Sequence, residues 1–256
     1  YATFNGNAYE STRINIQQGT TQTHVLQFPF SDYTPWDGTG TNPNDGMACH
    51  GMPTLTDYDG NTYLTVQIGS QCWMRENLAT SHYSNGEVIP LGTTESSVTY
   101  PYRYCPGNDS NNVSYHGYYY NWTAIMHGAQ SSNATPSGVQ GICPTGWHLP
   151  SNAEWTTLYE KMGGASVAGK KLKIDGLWKN YSGETNNDTF GFSVVPSGNV
   201  DYLLEFHDGG ISAGLWSSTK YSNSSAWYQL FYYNSDEARQ RSFSMYYGLS
   251  VRCLKD

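Results

Sequence analysis

Metal ligation, nucleophilic attack and proton transfer all draw on a small set of side chains. Seven of those here are histidines: His24, His50, His82, His116, His127, His148 and His207. None falls in the H-E-x-x-H spacing that sets two imidazoles on one helix face around zinc. The five cysteines, Cys49, Cys72, Cys105, Cys143 and Cys253, contain no C-x-x-C pair, so zinc ribbons and dithiol redox sites are poorly supported. No serine sits in a G-x-S-x-G elbow, and no glycine-rich phosphate loop runs into Lys-Ser/Thr. Asp57, Asp59 and Asn61 resemble the opening of a calcium loop. The glycine and glutamate such a loop needs are replaced by Thr62 and Ile68, which excludes an EF-hand. Asp236 and Glu237 are adjacent acids in a predicted turn and read as solvated charges. His148 has no acid or thiol placed by local spacing to make it a base, and reads as a structural histidine. The expectation is therefore no catalytic residue, no metal site and no cofactor.

Composition narrows the setting. The chain has 256 residues with 13 Lys+Arg against 21 Asp+Glu, a net charge of −8. Such a surface repels phosphate backbones, which argues against nucleic-acid partners. No apolar run approaches the ~18 residues of a membrane span. No basic start leads into an apolar stretch, so any signal peptide is expected to have been removed or never to have been present. Only 13% of residues are charged while 15% are aromatic, including 22 Tyr and 8 Trp. Intracellular proteins usually carry about 25% charged residues. Disulfides suit this secreted-looking composition, and an odd count leaves one cysteine over. Spacing alone leaves their connectivity open.

The elements that would hold these residues fall into two parts. Residues 1–48 read as a β extension and linker. Thr12, Ile14 and Ile16 alternate with polar neighbours as in a half-buried strand, and Val25, Leu26 and Phe28 mark a second strand ended by Pro29. Residues 32–45 are rich in turn formers. This leader is too short for a core of its own, so it must pack on the main domain or on a neighbouring molecule. Residues 49–256 form the main domain. There Asp59-Gly60 predicts a hairpin into a strand over 62–68. The clearest helix spans 151–162: Ser151 and Glu154 form a capping box, Trp155, Leu158, Tyr159 and Met162 one apolar stripe, and Gly163-Gly164 the stop. Shorter helices are expected over 121–126 and 167–173. Strands are expected over 226–232, 238–245 and 248–254, with a turn over 234–237. Few helices and many short strands make an α+β domain, and no helix follows each strand as a Rossmann or TIM architecture requires.

Five ordered blocks then point to a family. Asp59-Gly60-Asn61-Thr62-Tyr63 through Gln71-Cys72-Trp73-Met74-Arg75-Glu76-Asn77-Leu78 opens the series. Cys143-Pro144-Thr145-Gly146-Trp147-His148-Leu149-Pro150-Ser151 with Glu154-Trp155, then Gly191-Phe192-Ser193, Trp216-Ser217-Ser218-Thr219 and Ser250-Val251-Arg252-Cys253 follow in order. Residues 49–256 thereby resemble the Fibrobacter succinogenes major paralogous domain family, found on secreted and surface proteins of Bacteroidota. Trp73, Asn77, Trp147, Pro150, Glu154, Trp155, Trp216 and Arg252 carry the resemblance. That family is similar to C-type-lectin-like folds and to formylglycine-generating enzymes. The resemblance implies a C-type-lectin-like domain, an extracellular location and two disulfides, Cys143 with Cys253 and Cys49 with Cys72. Cys105 is then the odd thiol, expected to be buried, with an intermolecular bridge or a reactive thiol as alternatives.

Three functions follow as expectations. The first is a non-catalytic subunit of an extracellular homopolymeric filament, whose partners are copies of itself joined head to tail through the leader strand. The second is an adhesin or glycan-binding module, since Tyr and Trp on loops stack on sugar faces; Tyr118, Tyr119, Tyr120, Tyr232, Tyr233, Tyr246 and Tyr247 are the candidates, with alternate members facing the core. The calcium-dependent sugar motifs of C-type lectins are absent. The third, a formylglycine-generating-like enzyme, lacks the late cysteine pair that binds copper, because Cys253 alone follows Cys143.

Overall fold

The computed structural model describes residues 2–4, 7–9, 42–181 and 186–256. The chain divides into two compact units, Tyr1–Asp32 and Tyr33–Asp256. In the first, β1 (Ala2–Phe4) and β2 (Asn7–Tyr9) pair antiparallel with Thr3 opposite Ala8. The assembly-strand residues Thr12, Ile14, Ile16, Val25, Leu26 and Phe28 lie outside the described residues.

In the second unit the Asp59-Gly60 turn does what its chemistry dictates. Gly60 takes φ +85°, the left-handed conformation a side chain resists, and its N–H bonds the Asp57 carbonyl at 3.2 Å. The turn joins β3 (Thr54–Thr56) to β4 (Thr62–Ile68), which pairs with β5 (Gln71–Met74) in a register that sets Val66 opposite Trp73. Next come β6 (Arg103–Tyr104), α1 (Val113–His116), β7 (Tyr119–Tyr120) and α2 (Trp122–Met126). After β8 (Trp147–His148), α3 (Asn152–Lys161) and α4 (Ala165–Leu172) lead into β9 (Asn199–Val200) and β10 (Phe206–His207). The chain then runs through β11 (Ser212–Lys220), β12 (Ser225–Tyr232), β13 (Ala238–Ser244) and β14 (Leu254–Lys255).

One sheet has the order β3-β4-β5-β14-β8 and another the order β11-β12-β13; β6-β7 and β9-β10 are small ladders. Every named ladder is antiparallel, the helices are short, and the architecture is α+β. No helix among the described residues is long and apolar enough to cross a membrane.

The capping box of α3 forms as the sequence specifies. The Glu154 N–H donates to Ser151 Oγ at 3.2 Å, and Glu154 Oε2 accepts from the Ser151 N–H at 2.8 Å. Trp155, Leu158, Tyr159 and Met162 are all buried, and the Trp155 ring tilts against Trp73 with centroids 4.7 Å apart. These residues and Phe192 fill one core cluster. Trp147, Trp216 and the four bridged cysteines fill a second.

The bridges are Cys49–Cys72 and Cys143–Cys253, with Cα separations of 5.8 and 5.9 Å. Cys105 is a free, half-buried thiol whose pKa burial pushes up.

The expected strand over 248–254 is mostly not a strand. Successive residues bond to different elements: Leu249 exchanges bonds with Tyr120, the Ser250 N–H reaches the Gly214 carbonyl, and Leu254 pairs with Trp73 and His148. A segment that changes partner at each step makes isolated bridges instead of a ladder. Only Leu254–Lys255 pairs regularly.

Candidate functional site

The segment that changes partners carries Arg252 into the core. Its side chain is fully buried, yet no carboxylate among the described residues contacts it. Its guanidinium is satisfied by neutral oxygens. Nε donates to Asn77 Oδ1 at 2.8 Å, Nη1 to the Met74 and Phe192 carbonyls at 3.2 and 2.6 Å, and Nη2 to the Ser193 carbonyl at 2.9 Å. Burial is the largest influence on it and, against the pull of Glu76 and Asp188, lowers the Arg252 pKa to about 10. The group therefore remains a cation at neutral pH. Asn77 is oriented in turn by a bond from Nδ2 to the His116 carbonyl at 2.9 Å.

Above this cation lies a cleft of about 400 Å³ walled by Arg75, Glu76, Asn77, Tyr115 and Ser193. Arg75 Nε donates to the Gly191 carbonyl at 2.7 Å, and Gly191 takes φ +71° to present it. Glu76 Oε2 accepts from the Leu64 N–H at 2.8 Å. Asp188, behind Ser193, accepts from the Ser193 N–H and hydroxyl at 2.8 and 2.7 Å. Tyr115 on α1 stands at the rim, 79% exposed.

His148 is buried between two acids. Its Nε2 meets Glu154 Oε1 at 2.9 Å and its Nδ1 meets Asp256 Oδ1 at 2.7 Å. Burial favours the neutral ring, but the hydrogen bonds and charges of Glu154 and Asp256 outweigh it and hold the pKa above its ordinary 6.5. With the folded-state pKa raised, this contribution to stability is complete below 6.5 and is lost as pH rises through the folded value. The difference in urea midpoint between the wild type and His148→Gln should accordingly shrink across that window. A difference that stays constant from acid to alkaline pH would remove the role assigned to the protonated ring.

Two further clusters bear on chemistry. Ser81 Oγ, His82 and Asp59 bring together the residue types of a hydrolytic triad. However, Ser81 and Asp59 both meet the same ring nitrogen, Nδ1, and Ser81 also donates to Asp59 Oδ2 at 3.0 Å. A base must accept through one nitrogen while an acid holds the other. This cluster instead fastens the loop after β5 to the β3–β4 turn. The donor atoms of Asp201, Glu205 and His207 lie within 4.8 Å of one another, the spacing a metal ion requires. Asp201 is already engaged: Oδ1 accepts from the Leu203 and Glu205 N–H groups at 2.8 and 2.9 Å, and Oδ2 pairs with His207 Nε2 at 2.9 Å. These bonds shape the β9–β10 turn.

Of the residues marked by sequence, Asn77 and Arg252 come together at the cleft, Glu154 meets His148, and Trp73 packs on Trp155. Trp147 and Trp216 are core, with the Trp216 Nε1–H donating to the Tyr120 carbonyl at 2.8 Å. Pro150 accepts from the Ser218 N–H at 3.0 Å. Among the tyrosines proposed for sugar stacking, Tyr119 and Tyr120 are both buried, Tyr246 is exposed and Tyr247 half-buried. The most exposed aromatic of the cleft, Tyr115, lay in no motif; its only signal was a place in a polar loop. A family model for the Fibrobacter succinogenes major domain matches residues 66–255. No curated protein matches the chain, and no solved structure does.

Proposed function

Because the chain belongs to the Fibrobacter succinogenes major domain family, we propose that it is a secreted, non-catalytic cell-surface protein of C-type-lectin-like architecture. In this reading it is a structural subunit of an extracellular homopolymeric filament, with its leader strand donated to a neighbouring copy. One observation carries this reading. β13 is the outer strand of its sheet, and among the described residues no strand pairs with its free edge over seven residues. An open edge of that length takes a strand of five or six residues, the length expected of the leader strands. Exposed Arg239 and Arg241 on β13 discourage indiscriminate pairing.

Among the described residues, the body's two larger sheets are built from strands that lie between residues 54 and 255. The disulfides and buried indoles suit a load-bearing, chemically inert body outside the cell. Deleting residues 1–30 should abolish fibres in negative-stain electron micrographs while the protein remains folded and monomeric by circular dichroism and light scattering. Fibres formed by the truncated chain would refute strand exchange.

A further inference from the structure

We propose that the β9–β10 hairpin holds a zinc ion through Asp201, Glu205 and His207, with water in the fourth position. The hairpin register brings the three side chains together. Val200 pairs with Phe206 and Asn199 with His207, and the Asp201 N–H donates to the Glu205 carbonyl at 3.0 Å. Asp201 and Glu205 therefore stand directly opposite one another, and His207, two residues beyond Glu205, lies on the same face. Their donor atoms fall within 4.8 Å of one another. The expectation of no metal site rested on helical histidine spacing and on cysteine pairs. A hairpin makes the same convergence from positions 201, 205 and 207, which those patterns do not sample.

Two carboxylates directly opposite on a ladder repel. Among the described residues no lysine or arginine forms an ion pair with either, and Asp201 Oδ2 meets His207 Nε2 at 2.9 Å. A divalent cation between them removes the repulsion. Asp201 is buried, and its Oδ1 is fixed by the Leu203 and Glu205 N–H groups, which keeps Oδ2 aimed at the ring. Bonds of this kind orient the carboxylates of metal sites. The strand behind is fastened to the body, since Val200 and Gly248 exchange bonds at 3.1 and 2.9 Å. Glu205 and His207 are exposed, so the ion has a path in from solvent.

Zinc bonds of about 2.0–2.2 Å set two tetrahedral ligands about 3.3 Å apart, so Nε2 and Oδ2 need part by only about 0.4 Å. An imidazole with two carboxylates suits zinc, whereas calcium and magnesium take six or more oxygens. The Asp201 carboxylate can only accept, so Nε2 carries the ring proton in the hydrogen bond. On binding, that proton passes through water to Nδ1 and the Nε2 lone pair goes to zinc, with no change of oxidation state. The site stands whether or not the chain polymerises, because all three ligands belong to one hairpin of the body.

The test is titration calorimetry of zinc chloride into the full, disulfide-bonded chain at neutral pH, after EDTA treatment and dialysis. One zinc per chain should bind with a Kd of about 10 μM or tighter. His207→Gln and Glu205→Gln should each weaken it about tenfold or more. The Glu205 side chain takes no part in the turn's hydrogen bonds, so its loss of binding does not report misfolding. His127→Gln, at a ring that meets Glu87 at 3.2 Å without a third ligand, and Cys105→Ser should leave the affinity unchanged. Crystals soaked in zinc should show an anomalous peak between the three side chains. The proposal is overturned by no binding at about 1 mM zinc, by binding that ignores either His207→Gln or Glu205→Gln, by binding that disappears with Cys105→Ser, or by calcium displacing the zinc.

Discussion

A chain carrying Cys143→Ser and Cys253→Ser should lose about 5 kcal/mol of folding free energy, the largest loss expected from removing any one covalent link. The bridge spans 110 residues, and the chain-entropy cost of closing a loop that long approaches 5 kcal/mol. The Cys49–Cys72 bridge spans 23 residues, for which the same relation gives about 3 kcal/mol. Domains are stable by about 5–15 kcal/mol in total, so loss of the long bridge alone brings the body close to its threshold. Both long-bridge sulfurs lie in the core, where hydroxyls would also add an unpaired polar group. Urea midpoints for the two double mutants, measured without reductant, provide the check. The chain-entropy account fails if removing the short bridge costs as much as removing the long one.

Replacing Arg252 with Met should cost about 3–5 kcal/mol, comparable to breaking a buried ionic network. The reason is the acceptors left behind. Asn77 Oδ1 and the carbonyls of Met74, Phe192 and Ser193 would all lose a donor inside the body. Each buried orphan costs about 1–3 kcal/mol. Arg252→Lys should recover little, because an ammonium offers three donors from one point where the planar guanidinium reaches four oxygens in a fork. Hydrogen exchange at the Leu78 and Met74 amides, bonded to the Val251 and Cys253 carbonyls, should accelerate in both variants. A lysine variant within about 1 kcal/mol of the wild type would show that charge rather than geometry matters at this position.

What the sequence disclosed was local. The Asp59-Gly60 hairpin, the strand over 62–68 and the boxed helix α3 are each encoded within about ten residues, by turn chemistry, alternation and capping. The helix over 121–126 and the β12 and β13 strands were legible for the same reason. The disulfide pairing became visible through family resemblance, which carries three-dimensional information that spacing lacks.

What stayed hidden depends on distant partners. His148 finds one acid six residues away and the other 108 residues away. Arg252 reaches Asn77 across 175 residues. Tyr119 and Tyr120 break the expected alternation because Tyr119 packs on Val200 while Tyr120 joins the larger cluster, so both faces of that short strand are covered. Their order along the chain could not announce this.

The segment over 249–254 touches nearly every layer of the body, and all of its partners precede it in the chain. The body therefore cannot close until these residues have been made and released. During vectorial synthesis, the locally encoded hairpin and helix can form early, but the layers that meet at this segment would lack their common partner. Oxidation of Cys143 with Cys253 and insertion of the guanidinium depend on the same late segment, making maturation a late, concerted event instead of a progressive one.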